Sequence, residues 1–148
     1  MKKIWIFVFL TTLLLSLCQP QDKGFEVKDY WLRSAVKGGN TAMYMSIQND
    51  STVGDELVKV SSDIAEAVEM HKTIIDNNGA MQMSPVSSVL LEPDAEVIFE
   101  PGGLHVMFIG LKQDLKAGDK VEVTIHFKNR EDMILTVPVQ DNGGDVNH

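Results

Sequence analysis

The sequence predicts an all-β, single-domain β-sandwich, on three observations. Its apolar residues come in short runs bounded by turn residues, no run in the body of the chain has a sustained helical period, and about eight such runs follow one another at short spacing. The predicted strands are Phe25–Arg33, Ala42–Asn49, Glu56–Ser62 and Ala67–Ile74, then Val97–Glu100, His105–Ile109, Lys120–Lys128 and Met133–Val139. Within Lys120–Lys128, Val121, Val123, Ile125 and Phe127 alternate with Glu122, Thr124, His126 and Lys128, the pattern of a half-buried strand with one wet face. Asp76-Asn77-Asn78-Gly79 signals a tight turn after Ile74. Ser61–Glu66 is expected to form one helical turn.

Ahead of these elements, Met1-Lys2-Lys3 is basic and the run Ile4–Leu17 is apolar. That run is short for a membrane span and has the order of an export signal. Residues 1–17 are therefore expected to be the signal, 24–139 the domain, and 140–148, polar and glycine-bearing, a tail that frays. Cys18 is the only cysteine. The run Leu15-Ser16-Leu17-Cys18 resembles a lipoprotein processing site, with Cys18 as the lipid-bearing first residue and simple cleavage nearby as the alternative. The product works outside the cytoplasm, in the periplasm or cell envelope of a bacterium. Removing Lys2 and Lys3 takes the net charge from −8 to about −10. No nucleic-acid partner is expected of so acidic a chain, and the charge favours a monomer.

The chemistry-bearing residues are His71, Met81, Met83, His105 and Met107. Imidazole and thioether form a soft, uncharged donor set that suits Cu(I) and poorly suits hard ions. In a strand His105 and Met107 leave the same face while Val106 points away, and Met81 and Met83 share a face by the same argument. Three segments would then converge at one end of the sandwich, with the ion reachable at the surface and ringed by apolar groups such as Leu104 and Phe108. Gly102-Gly103 is read as a tight turn that brings His105 into position. Met43, Met45, Met70 and Met133 are read as core filler, and His126 and His148 as solvated. With no cysteine inside the fold, an electron-transfer site built on a thiolate is disfavoured. No nucleotide fingerprint or placed nucleophile argues for catalysis, so no enzyme is expected.

Met83, twenty-one intervening residues and then His105-x-Met107, with Glu100-Pro101-Gly102-Gly103-Leu104 before it, resembles the periplasmic copper chaperones of the PCu(A)C type. Val68-Glu69-Met70-His71, Met81–Val86 and Gly110–Asp119 extend the likeness over roughly Ala42 to Phe127. The resemblance implies a cupredoxin-like Greek-key sandwich that holds Cu(I) through His71, Met83, His105 and Met107. It also implies delivery to a copper-accepting subunit of cytochrome c oxidase or to another copper chaperone. Eleven residues separate His71 from Met83 where the resemblance leads one to expect ten, so Met81 stays open as a substitute for Met83. A periplasmic copper buffer and a metal-free interaction module are the competing readings.

Overall fold

The computed structural model describes residues 24–141, so the expected signal, Cys18 and His148 lie outside the described residues. Ten strands follow one another: β1 Phe25–Arg33, β2 Thr41–Asn49, β3 Asp55–Ser61, β4 Ala65–Ile75, β5 Met81–Pro85, β6 Val89–Leu91, β7 Ala95–Phe99, β8 Leu104–Leu111, β9 Lys120–Phe127 and β10 Met133–Gln140. All eight predicted strands are present with ends shifted by a residue or two, and the described residues contain no helix. The expected helical turn at Ser61–Glu66 is not formed. Asp63 and Ile64 make a two-residue corner, because Ala65 already pairs with Leu111 and the Ile64 carbonyl accepts the Lys112 N–H at 2.8 Å. Those bonds engage backbone groups that a helical turn would need.

The strands form one open ladder, β5-β4-β8-β7-β2-β1-β10-β9-β3-β6, with β8 pairing β2 as well. Its two halves join through a short parallel contact, Leu32 opposite Val139 and Arg33 opposite Gln140. Between them lies a single apolar cluster that includes Leu32, Met43, Ile47, Leu57, Phe99, Val106, Phe108 and Ile125. Period-two patterning explains how each half faces it: Val121, Val123, Ile125 and Phe127 are buried while Glu122 is exposed. Met43, Met45 and Met70 are buried and Met133 packs against the cluster, in agreement with their reading as core. In β1 the register shifts between Lys28 and Trp31, with Asp29 at φ 51°. Beyond this bulge Trp31 faces Tyr44 with ring centroids 4.7 Å apart.

The other end of the sandwich is tied by Asp55, which is 4% exposed. It accepts the Glu56 N–H at 2.8 Å, the Asn129 N–H at 3.1 Å and the Arg130 Nε–H at 3.0 Å. Burial alone would raise its pKa, but the Glu56 N–H, the Arg130 guanidinium and the Asn129 N–H outweigh it and hold the carboxyl below the usual aspartate value. A carboxyl depressed in the folded state stabilises the fold above its unfolded pKa, and that contribution is lost as pH falls. Stability is therefore expected to drop as pH falls through about 3.9 and below, and Asp55→Asn should flatten that part of the profile. Urea titrations at about pH 5 and about pH 3 would check it, and equal pH slopes in variant and parent would refute it.

Candidate metal centre

The site is assembled by strand alternation and register. In β8, Val106 and Phe108 are fully buried in the core, so His105 and Met107 leave the opposite face. Antiparallel β4 sets His71 directly opposite His105 and Glu69 opposite Met107. The β4–β5 hairpin sets Met83 opposite Thr73 and Met81 opposite Ile75. Alternation along β4 then puts Glu69, His71, Thr73 and Ile75 on the face that carries His105, Met107, Met81 and Met83. The donors thus share one face of three adjacent strands, β5-β4-β8, rather than loops at the end of a sandwich. Met81–Pro85, which is not among the strands the sequence predicts, pairs along β4 because the turn at Asp76–Gly79 closes a regular hairpin. Phe108 and Leu104 do not ring this face, since they project from β8 on its core side; Phe108 is wholly buried.

The turn before β8 positions the buried histidine. Gly103 N–H donates to the Glu100 carbonyl at 3.0 Å and Glu100 N–H to the Leu104 carbonyl at 2.7 Å. Gly102 takes φ +83°, which glycine adopts without strain. The Gly103 carbonyl, so placed, accepts the Thr73 N–H and the His105 Nδ1–H, each at 3.1 Å. A carbonyl can only accept, so the His105 proton sits on Nδ1 and Nε2 keeps its lone pair. His71 is held in the same manner through its other nitrogen: Nε2–H donates to the Glu69 carboxylate at 2.9 Å, leaving Nδ1 with the lone pair.

Those two lone-pair nitrogens, His71 Nδ1 and His105 Nε2, are the only buried side-chain N or O atoms without a hydrogen-bond partner among the described residues. Leaving a polar atom buried and unpaired costs about 1–3 kcal/mol. The two atoms belong to rings 5.9 Å apart in an edge-on arrangement, on neighbouring strands. His105 is 4% exposed. His105, Met107 and Met83 line one cleft of about 340 Å³, walled by Arg33, Tyr44 and Thr73; neither Met81 nor His71 is among its lining residues, and His71 joins the site through its ring, edge-on to His105. The gradient runs from buried His105 through half-buried Met107 to Met83, which is 61% exposed, so the cleft has an open edge. Among the described residues no group of three or more His, Cys, Asp or Glu side chains that could hold a metal ion is gathered.

His126 is not simply solvated as expected: it is half-buried, with Nε2 2.7 Å from Ser61 Oγ and Nδ1 2.7 Å from Asp132. It stands apart from the cleft. The groups that sequence reasoning missed are the outer partners, Glu69 and the Gly103 carbonyl. Glu69-x-His71 carried a legible signal, since residues two apart share a strand face; the carbonyl had none.

The family model for LpqE-like proteins, described as "Putative lipoprotein LpqE-like", matches residues 25–139. The chain is 29% identical over 124 residues to "Putative lipoprotein Lxx21020" of Leifsonia xyli subsp. xyli, covering 84% of this chain and 74% of that one. It is 31% identical over 127 residues to "Uncharacterized protein RP573" of Rickettsia prowazekii, covering 83% and 70%. Among solved structures, the copper-bound PCuAC domain from PmoF2 superposes with a TM-score of 0.65 at 23% identity, covering 80% of this chain and 93% of that one. The solution structure of CuI-DR1885 from Deinococcus radiodurans does so at 0.60 and 23% identity, covering 81% and 82%. The all-β architecture is thus the cupredoxin-like fold of the PCuAC domains, and the chain belongs to the LpqE-like family.

Proposed function

We propose that the protein is an exported copper chaperone that holds Cu(I) through His71, Met83, His105 and Met107. The observation that carries this reading is the pair of buried, unpartnered imidazole nitrogens on facing residues of β4 and β8, with His105 sharing its cleft with the Met83 and Met107 thioethers. A soft, neutral set fits Cu(I), and thioethers bind it without losing a proton. Glu69 and the Gly103 carbonyl fix the two rings so that the bare nitrogen of each is ready before the ion arrives. The open edge at Met83 gives an acceptor access to the ion. Solved structures of the same fold include the copper-bound PCuAC domain from PmoF2 and CuI-DR1885.

The lipoprotein description of the family and of a relative supports export and attachment at the cell envelope, with residues 1–17 as signal and Cys18 as the lipid-bearing residue; Gln140, expected to begin the tail, instead ends β10, so any tail starts after it. The recipient in this reading is a copper site of cytochrome c oxidase or another chaperone of that route. Under reducing, anaerobic conditions the protein should hold one Cu(I) equivalent against a chromophoric chelator and surrender it to the apo oxidase subunit. Tight binding without transfer, together with copper sensitivity but normal oxidase activity on deletion, would make it a buffer instead. Absence of any stoichiometric copper would sink the copper reading.

A further inference from the structure

We infer that Met81 is a hand-off ligand: a fifth donor and third thioether, outside the resident set, that takes Cu(I) first on loading and last on release. The inference rests on the copper reading above and adds to it a route for the ion. Met81 and Met83 flank Gln82 on β5, so their side chains leave the same face with Cα atoms about 7 Å apart. Met83 lines the cleft with His105 and Met107, whereas Met81 lies one step outward and is 74% exposed. The sulfurs are therefore graded in exposure along one line, from half-buried Met107 through Met83 to Met81.

Packing supplies no reason for a methionine at position 81. Its cross-strand neighbour Ile75 is itself 69% exposed, and β5 is the outermost strand of the ladder, so nothing covers it from the far side. An exposed edge strand is ordinarily blunted by charge or filled with β-branched residues. The backbone under Met81 is nonetheless held. Asp76 accepts the Asn78 and Ala80 N–H groups at 2.8 and 2.9 Å, and its other oxygen takes the Gln82 amide at 3.3 Å. A fixed hairpin tip thus carries a largely exposed side chain with three rotatable bonds, a suitable arm for sweeping between an acceptor and the cleft.

The chemistry of such a step balances without any co-reactant. On release the Met81 sulfur forms a Cu–S bond as the Met83–Cu bond breaks, the ion stays Cu(I), and no proton moves because both thioethers are neutral. The acceptor's ligand then displaces the remaining protein donors while Met81 still holds the ion. Because Met81 is unbound in the resting complex, it alters the height of the exchange barrier and leaves the equilibrium affinity unchanged.

The test compares Met81→Leu with Met83→Leu in the full chain, since leucine keeps volume and apolarity and removes only the sulfur. Cu(I) held by bicinchoninate is the probe, with equilibrium competition for affinity and stopped-flow absorbance for exchange in both directions. For Met81→Leu the affinity should stay within about twofold of the parent while loading and release both slow by about tenfold. Met83→Leu should lose affinity. Parental exchange rates in Met81→Leu would overturn the inference and leave the copper site standing. A loss of affinity equal to that of Met83→Leu would also overturn it, by making Met81 a resident ligand. If the parent itself takes no Cu(I), the copper reading fails and the inference with it.

Discussion

Replacing His105 with alanine is expected to weaken Cu(I) retention by on the order of a hundredfold, close to 3 kcal/mol. His105 offers the most deeply buried of the proposed donors, and its ring is aimed by the Gly103 carbonyl through the Nδ1 hydrogen bond. Met83 and Met107 are already ligands in this reading, and no other imidazole among the described residues lies in the cleft, so no neighbour replaces the lost nitrogen. Met107→Ala should weaken retention in the same sense, because Met107 shares the cleft floor with His105. Glu69→Ala is the milder companion: every ligand remains, but His71 loses the acceptor that orients it, a change worth about tenfold in metal affinity. Chelator competition under anaerobic conditions reads all three, and thermal melts of the apo forms separate lost binding from lost folding. Parental affinity in His105→Ala would move the site elsewhere.

The largest effect on stability is expected away from the cleft, at Asn49. This side chain closes β2 and is wholly buried. Its Oδ1 accepts the Ser51 N–H at 3.0 Å and the Ser51 hydroxyl at 2.7 Å. Its Nδ2 faces three carbonyls, of Val53, Leu91 and Glu92, at 3.1, 3.0 and 2.9 Å. One amide thus fastens the end of β2, in one half of the ladder, to the end of β6 in the other. Alanine would leave several buried polar groups unpaired at once, and a loss of about 4 kcal/mol is expected from the cost of each. Asn49→Asp should be at least as harmful, because it turns the donors into an anion facing carbonyl oxygens. Urea unfolding gives the number; a loss below about 1 kcal/mol in Asn49→Ala would mean that water satisfies the abandoned groups.

The fold was legible wherever apolar residues alternated over several positions. Val121 to Phe127 could be placed, with its faces, from pattern alone, and the structure buries the residues so assigned. β6 escaped because Val89-Leu90-Leu91 is too short to show a period; only its partner β3 reveals it as a strand. The helical turn at Ser61–Glu66 failed for a tertiary reason, since Leu111 and Lys112 claim the backbone there. At the site, the spacing of His105 and Met107 already implied a shared face. Their meeting with His71 depends on the β4–β8 register, which no local pattern encodes. The rim was misjudged for a different cause, strand alternation not carried through: Leu104 and Phe108 are next to ligand positions in sequence, and in a strand that places them on the opposite side.

β8 pairs with β4 along one side and with Ala42 and Met43 of β2 on the other, and its two faces hold incompatible contents. One face carries His105 and Met107; the other carries Val106 and Phe108, sealed in the core. A slip of this strand by a single residue would drive an imidazole and a thioether into the hydrocarbon interior and turn Val106 and Phe108 out to water. The fold and the ligand array are therefore proofread together. A chain that misregisters here loses its core at the same moment as its donors, so a folded molecule carrying a scrambled array is not an available product of misfolding.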